Sequence, residues 1–331
     1  MATLNLTVPN PGTPILPPGP TGSSFTQKLL SITFQLFPTQ GSTPPVFTGS
    51  QSNTLTLKNV RASAKIIKAG GRSMGQLFLD VYGMTLDQMN DLSTFGQRVQ
   101  LQSKNQVFVQ AGDASGGLAT VFQGTIRVAY GDFAASPEVP FRVEANTGLF
   151  QAVAPAAVTS YNGGVTAAVV MSNLATLMGM AFENNGVATN LPSPYFWGTL
   201  RQQADAAASQ GNFNWTIDNG AMNNAGTLVI WPKNGSRNTA VVPTISPTTG
   251  MIGYPIYNAM GVTVKTLFNP QVGLGGKVQI SGSQLKAANG TFSVFGLDHA
   301  LDTLLPHGKW ESTIQAYRLD QANPVPAVTT R

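Results

Sequence analysis

Cysteine is absent from this 331-residue chain, and histidine occurs only at His299 and His307. Without thiols the chain cannot form disulfide bonds, use a thiolate nucleophile, or bind zinc or an iron–sulfur cluster through cysteine. The lack of cysteine does not identify a compartment, because secreted proteins can also lack it.

Charged residues are also scarce. They make up 10% of the chain, against about a quarter in an average soluble protein. Glycine, serine, threonine, asparagine and glutamine take their place. A free monomer usually carries charge on its surface. This composition therefore favours a subunit that neighbouring proteins cover, and the alternative is a secreted β-protein with a neutral surface.

The net charge is +5, but no run of lysine and arginine is longer than one residue. The sequence therefore has no polybasic targeting segment. The scattered positive charge fits either a channel wall that passes nucleic acid or ordinary solvated surface.

Long apolar runs are missing as well, and none approaches the roughly 20 residues of a membrane span. No basic segment followed by an apolar one marks a signal peptide. We expect a protein without a membrane span that is made and assembled in the cytoplasm.

Residues 1–24 contain six prolines and no charged side chain. Because proline fixes φ and donates no hydrogen bond, a helix or central strand is excluded. The sequence predicts an extended arm, which is either a disordered tail or a segment lying on a neighbouring subunit through Ile15 and Leu16.

Residues 25–153 show the short alternating runs and glycine turns of β-structure. One helix interrupts them, because Thr85 and Gln88 have the spacing of a capping box. Its predicted apolar face contains Leu86, Met89 and Leu92. The predicted strands lie at 29–36, 54–58, 63–68, 75–82, 106–110, 121–130 and 139–145.

Residues 154–231 change to a mixed pattern. A helix is predicted at 165–178, with Val169, Leu174 and Leu177 apolar and Gly179 as its stop. A strand at 180–183 and a second helix at 199–210, ended by Gly211, follow. Strands at 214–217 and 227–231 are expected to form a hairpin. Residues 232–317 return to β-structure, and 318–331 form a polar tail.

The short sequence motifs of these regions resemble those of the central hub proteins of phage tail baseplates, a family that contractile-tailed phages share with type VI secretion spikes. The motifs are YGM before the first helix, W-x-I-D-x-G and L-V-I-W-P in the middle, and GMIGYPIY through GKW in 250–310. The resemblance covers about residues 25–317. No sequence repeat links the two β regions, so their equivalence is implied by the resemblance alone.

The resemblance implies a mainly β fold with an α+β insertion, in which two tube-type β-barrel domains (25–153 and 232–317) flank a small α/β domain (154–231). It implies a homotrimeric ring in the virion baseplate of a contractile injection system, assembled in the host cytoplasm. The implied partners are the tail tube protein, the central spike protein and other baseplate proteins. Tape-measure protein and DNA would pass through the channel. The alternatives are a cell-wall-binding or cell-wall-degrading tail component, and a capsid or tail-sheath protein.

Catalytic chemistry has little support in the sequence. His299 is next to Asp298 and near Asp302, but neighbouring residues in a strand point to opposite faces. We therefore expect a hydrogen-bonded structural histidine at a strand end. The acids Glu138, Glu144 and Glu183 are far apart in sequence.

The glycine-rich stretch at 273–277 lacks the Walker spacing and predicts a turn into a strand at 278–281. We accordingly expect no catalytic residue, no cofactor and no metal.

Tyr195, Phe196 and Trp197 form the densest aromatic cluster. One interpretation is a protein interface, because aromatic residues are favoured interface anchors. A second is core packing of the middle domain, and a third is a LysM-like glycan-binding module. With Ile15 and Leu16, the three aromatic residues are the candidate interface.

Overall fold

The computed structural model describes residues 26–38, 45–94, 105–114, 116–154, 156–218, 226–258 and 260–319. The fold is mainly β with few helices. We call 28–146 the first β region, 149–232 the middle region and 244–318 the last β region. The first β region contains β1 (Lys28–Gln35), β2 (Thr54–Lys58), β3 (Ala62–Lys68), β4 (Gln76–Tyr82), α1 (Leu86–Leu92), β5 (Gln106–Asp113), β6 (Gly117–Gly131) and β7 (Pro140–Asn146).

The other two regions differ in helix content. The middle region contains α2 (Leu149–Val153), β8 (Thr159–Ser160), β9 (Gly164–Thr166), α3 (Ala167–Met178), β10 (Ala181–Asn184), β11 (Asn190–Pro192), β12 (Tyr195–Phe196), α4 (Leu200–Gly211), β13 (Phe213–Asp218) and β14 (Thr227–Pro232). The last β region contains β15 (Thr244–Ile245), β16 (Met251–Asn258), β17 (Gly261–Leu267), β18 (Lys277–Ile280), β19 (Gly290–Thr303) and β20 (Trp310–Arg318).

The first and last β regions share one sheet, whose described pairings are antiparallel except for the parallel pairing of β15 with β18. Its order is β16-β17-β20-β19-β3-β4-β7-β6-β5-β1-β2, with β18 on β19 and β15 on β18. The two regions meet where β19 pairs with β3, from Leu297 opposite Lys68 to Thr303 opposite Ala62. Among the described residues no pairing of β2 with β16 closes this order into a ring.

Each β region buries its own apolar cluster, and β19 contributes to both. In the first cluster Phe34 packs edge-to-face on Phe141, with ring centroids 6.4 Å apart. Leu301 of β19 belongs to this cluster, whereas Leu297 belongs to the cluster of the last β region. The sheet is therefore continuous between two cores, and β19 is the strand that connects them.

The capping box predicted for α1 is confirmed. The Gln88 backbone N–H donates to the Thr85 hydroxyl, and the Thr85 backbone N–H donates to the Gln88 side chain. Met89 and Leu92 are buried as expected, but Leu86 is exposed. The predicted apolar face of α1 is therefore wrong at Leu86, the first residue of the helix, which does not reach the core.

The middle region packs α3 and α4 together and against a three-stranded sheet of order β10-β14-β13. The predicted hairpin of β13 and β14 is confirmed. Helix α3 starts later than predicted, because Val165 lies in β9. Its buried face contains Leu174, as expected, whereas Val169 and Leu177 are exposed.

The predicted C-terminal end is correct for α3 and wrong by one residue for α4. Gly179 adopts the left-handed conformation at the end of α3 with φ 71°, as predicted. At the end of α4 that conformation belongs to Asn212 with φ 50°, and Gly211 is the last helical residue. Asparagine tolerates this backbone conformation better than most residues, so the error shifts the helix end by one position.

Two guanidinium groups bind the middle region to both β regions. The Arg201 side chain donates to the carbonyls of Gly71 at 2.6 Å and Ser73 at 2.9 Å, in the loop after β3. The Arg237 side chain contacts Glu183 at 2.9 Å and Asp218 at 2.6 Å. The backbone N–H of Arg237 donates to the Gly275 carbonyl, in the loop before β18, at 2.7 Å. Arg237 thereby links the middle region to the last β region.

His299 is buried in β19, and its Nδ1 lies 2.7 Å from the Ser312 hydroxyl. Its ring packs edge-to-face on Phe268 with centroids 5.3 Å apart. The predicted hydrogen bond of His299 is confirmed, but its placement at a strand end is wrong because β19 continues to Thr303. Burial and the nearby Lys68 ammonium hold the pKa of His299 well below its usual value.

We expect this buried imidazole to make the folded protein less stable in acid. Below about pH 6.5 the unfolded chain binds a proton at His299 that the folded chain does not, so the free energy of unfolding falls as the pH is lowered. In His299→Gln, which keeps a hydrogen-bonding group and removes the titration, the slope between about pH 6 and pH 5 should be smaller by up to about 1.4 kcal/mol per pH unit.

Denaturant unfolding of both proteins at each pH measures this difference. At about pH 7.5, where the imidazole is neutral in both states, the gap between the two proteins gives the packing cost of the substitution. Equal slopes for the two proteins would contradict a buried neutral imidazole.

Candidate assembly surface

The aromatic cluster of the middle region is split by the backbone that carries it. Tyr195 is 65% exposed and Trp197 is 71% exposed, whereas Phe196 is only 4% exposed. Phe196 packs in the core of the middle region. The short strand β12 pairs with β8 and points alternate side chains outward and inward. Tyr195 and Trp197 therefore lie on the surface, while Phe196 between them packs in the core and holds this part of the backbone in place.

The turn that follows these residues is held in place by a buried glutamine. Gln203 donates from Nε2 to the carbonyl of Ala157 at 2.8 Å and to that of Gly198 at 3.1 Å. Gly198 has φ 95°, a conformation that favours glycine. Thr199 then caps α4 through a capping box with Gln202. The two exposed rings are thus presented on a fixed backbone, which lowers the entropy lost on binding.

Ile15 and Leu16, the other two candidates, lie outside the described residues.

A second exposed apolar surface was not predicted from the sequence. We call it the β16 patch, and its exposed fractions run from 38% at Ile252 to 68% at Ile256. Its residues are Ile252, Tyr254, Ile256, Tyr257 and Met260. Scattered exposed apolar residues are ordinary, but five large ones within nine positions of an edge strand and its turn favour an interaction surface. The sequence signal was a dense apolar run without strict alternation, which indicates a strand but not which side is covered.

The edge of β16 is irregular. Its pairing with β17 shifts between Ile252 and Ile256, and Gly253 there has φ 70°. Pro255 lies in the shifted stretch and cannot donate a backbone hydrogen bond. Bulges and proline are the means by which edge strands avoid pairing with other chains. The β16 patch is therefore suited to contact through side chains more than through added strands.

The residues considered for chemistry make hydrogen bonds within the strands and turns of the shared sheet. Asp298 is on the opposite face of β19 from His299, because burial alternates along the strand. Asp302 accepts hydrogen bonds from the Ser63 hydroxyl at 2.6 Å and from the Lys309 backbone at 2.8 Å. Gly275 donates its backbone N–H to the Val294 carbonyl at 2.7 Å, within the turn that precedes β18, as predicted.

Within the described ranges, no group of three or more histidine, aspartate or glutamate side chains is placed to hold a metal ion. None of the described helices has the length and apolar character that a membrane crossing requires.

Comparison with solved structures places this fold among tail and secretion proteins. The 43 kDa tail protein of prophage MuSo2 from Shewanella oneidensis has a TM-score of 0.55 at 10% identity, covering 88% of this chain and 100% of that one. The E. coli c3393 protein, a component of the type VI secretion system with structural similarity to the T4 tail proteins gp27 and gp5, has a TM-score of 0.54 at 10% identity, covering 86% and 76%.

A chain of the Francisella PdpA–VgrG complex has a TM-score of 0.58 at 8% identity, covering 90% of this chain and 59% of that one. These likenesses show the fold alone. Among curated protein sequences none matches this chain.

The family model described as "Baseplate hub gp41" matches residues 45–303, which is well over half of the chain. The matched stretch runs from before β2 to the last residue of β19, so it includes the middle region, the β16 patch and the shared sheet except β1 and β20. The chain therefore belongs to the baseplate hub gp41 family of phage tail proteins.

Proposed function

We propose that this protein is the structural hub of a contractile tail baseplate, a homotrimeric ring that joins the tail tube to the central spike. The observation that carries the proposal is the β16 patch, because five large apolar side chains are exposed along one edge strand and its turn in a chain with few charged residues. A head-to-tail contact, in which the patch of one protomer meets a different surface of the next, generates a closed ring when the rotation closes.

The domain division proposed with this function has two tube-type β-barrel domains, 25–153 and 232–317, around a small α/β domain, 154–231. An arm at 1–24 and a tail at 318–331 complete the division. Two separate apolar clusters, one in each β region, support the division. The β19–β3 pairing would then set the angle between the two barrel domains of one protomer. Three copies would place six such domains around a channel.

The proposed partners are the tail tube protein, the central spike protein and other baseplate proteins. One fold neighbour was solved as a PdpA–VgrG complex, which supports association with a further protein. Tape-measure protein and then DNA would pass through the channel, and the net charge of +5 is compatible with a wall that tolerates phosphate. The role is structural, without catalysis, and its place is the virion, after assembly in the host cytoplasm.

Tyr195 and Trp197 would contact another baseplate protein, and the arm at 1–24 would lie on a neighbour through Ile15 and Leu16. Fixed aromatic side chains are common binding anchors. The prolines of the arm lower the entropy lost when it docks.

The ring is tested at Ile256, the most exposed side chain of the β16 patch. We expect the wild type to have the mass of three chains in solution and Ile256→Asp to dissociate. An interface anchor contributes about 1–3 kcal/mol, which is a factor of about 10 or more at each contact. Light scattering over a concentration series measures the shift.

The matched control is Val169→Asp, an exposed apolar residue near the start of α3, which should keep the wild-type mass. Far-UV circular dichroism should be unchanged in both variants. A wild type that stays monomeric at high concentration, or a trimer unaffected by Ile256→Asp, would count against the β16 patch as the interface.

In the aromatic cluster, substitutions at the adjacent positions 196 and 197 should have opposite effects on the stability of the fold and on assembly. Phe196→Ala should lower the free energy of unfolding by about 3–5 kcal/mol, because it leaves a cavity in the core of the middle region. Trp197→Ala should change it by less than about 0.5 kcal/mol, because the side chain is exposed. It should nevertheless weaken incorporation of the protein into particles, which a pull-down of assembled baseplates measures. Normal incorporation of Trp197→Ala would remove this residue from the interface.

Deletion of residues 2–24 tests the arm. We expect the thermal unfolding of the isolated protein to stay nearly unchanged, because an uncharged proline-rich segment has little reason to add to a folded core. Infectious particle yield should fall when the truncated protein replaces the full chain. Complementation at full yield would show that the arm makes no contact that assembly needs.

A further inference from the structure

A groove of about 840 Å³ lies between the middle region and the last β region. Ser209 and Asn212 at the end of α4 and Asn214 of β13 line one wall, and Phe295 of β19 and Tyr317 of β20 line the other. The volume is within the range of pockets that hold ligands, roughly 300–1,000 Å³. Of the β16 patch only Met260 lines this groove, and the exposed Tyr195 and Trp197 do not line it.

The chain leaves the described structure at this groove. Tyr317 and Arg318 line it, and Leu319 is the last described residue before 320–331. Leu319 donates its backbone N–H to the Thr291 carbonyl at 3.3 Å, so the chain is still attached to β19 at that point. A segment of 12 residues reaches up to about 40 Å when extended. A tether this short gives it a local concentration of about millimolar or more at the groove.

The chemistry of the segment matches that of the groove. The rings of Phe295 and Tyr317 stack with centroids 6.3 Å apart, and the Tyr317 hydroxyl donates to the Gly235 carbonyl, which fixes its ring. Extended proline-containing segments bind to grooves lined by aromatic rings. Residues 320–331 read DQANPVPAVTTR, with a proline on each side of Val325.

Charge and turn chemistry favour the same segment. The cations Arg72, Lys233 and Arg318 line the groove, and Asp205 is the acid among its described lining residues. Asp320, close to Arg318 in sequence, complements this positive charge, and the segment's own cation, Arg331, is eleven positions further along the chain. The Asn-Pro pair at 323–324 is typical of a turn, which would redirect the chain from the end of β20 back into the groove.

We propose that residues 320–331 occupy this groove in their own chain, with Pro324, Val325 and Pro326 against Phe295 and Tyr317. The segment would then cover the seam between the middle region and the last β region. The proposal does not depend on the proposed ring. The N-terminal segment is the weaker candidate, because the chain enters β1 beside Asp113, which does not line the groove.

The absence of cysteine permits a direct test in the full-length protein. In Ser209→Cys with Val325→Cys we expect a disulfide within one chain under mild oxidation at low protein concentration. The matched control is Ala135→Cys with Val325→Cys. Ala135 is exposed near the start of β7, and the groove residues Gly70–Arg72 lie near its end, about 20 Å away. The groove pair should form its disulfide at least about ten times faster than the control pair, and Pro324→Ser with Pro326→Ser, which keeps the tether but removes the proposed proline contacts, should slow it severalfold.

Non-reducing electrophoresis and maleimide labelling of the remaining thiols measure both rates. Equal rates for the two pairs would overturn the proposal. A disulfide formed only between two chains would also overturn it, since the occupant would then be the segment of a neighbour. So would faster reaction of a Ser209→Cys and Leu16→Cys pair, because the N-terminal segment would be the occupant. A protein that fails to form the ring still gives this readout, because the cross-link is measured within a monomer.

Discussion

The pairing of β19 with β3 is the constraint on which the rest of the structure depends. It joins strands more than 200 positions apart, and the Ser63 to Asp302 hydrogen bond is made across 239 residues of sequence. Closing so long a loop carries an entropic cost, which grows only slowly with length. Seven consecutive register pairs and the two apolar clusters on either side of the junction offset that cost. Once this pairing forms, the directions of both β regions are fixed relative to each other.

The middle region depends on the same junction. Arg201 holds it to the loop after β3, and Arg237 holds it to the loop before β18. Both loops are set by strands of the shared sheet, so the two guanidinium groups act on one rigid frame. Each makes several hydrogen bonds to groups that are partly buried, and removing one partner of such a contact leaves unsatisfied polar atoms. The position of the middle region therefore depends on contacts far from the exposed Tyr195 and Trp197 rings, whereas Phe196 and Gln203 fix their backbone locally.

Local chemistry in the sequence predicted the local structure well. Alternating apolar residues marked the strands, the Thr85 capping box marked α1, and Gly179 marked the end of α3. The sequence did not correctly predict which face of a helix is buried. Helix α3 is apolar around most of its circumference, so its pattern has no clear phase, and only the packing of α4 and the sheet decided that Leu177 is exposed. The length of β19 beyond His299 was missed because a partner strand from the other end of the chain stabilises it.

The candidate surface shows the same limit. The aromatic cluster was visible in the sequence, but the division between buried Phe196 and its exposed neighbours needed the β12–β8 pairing. For the β16 patch, the sequence predicted a strand but not that its apolar side chains are exposed. Its bulge and Pro255 make the backbone of this edge a poor template for added strands, while Ile256 and Tyr257 stay open to contact. A chain with little surface charge must avoid indiscriminate association. An edge that offers side chains rather than backbone groups restricts association to a partner of complementary shape.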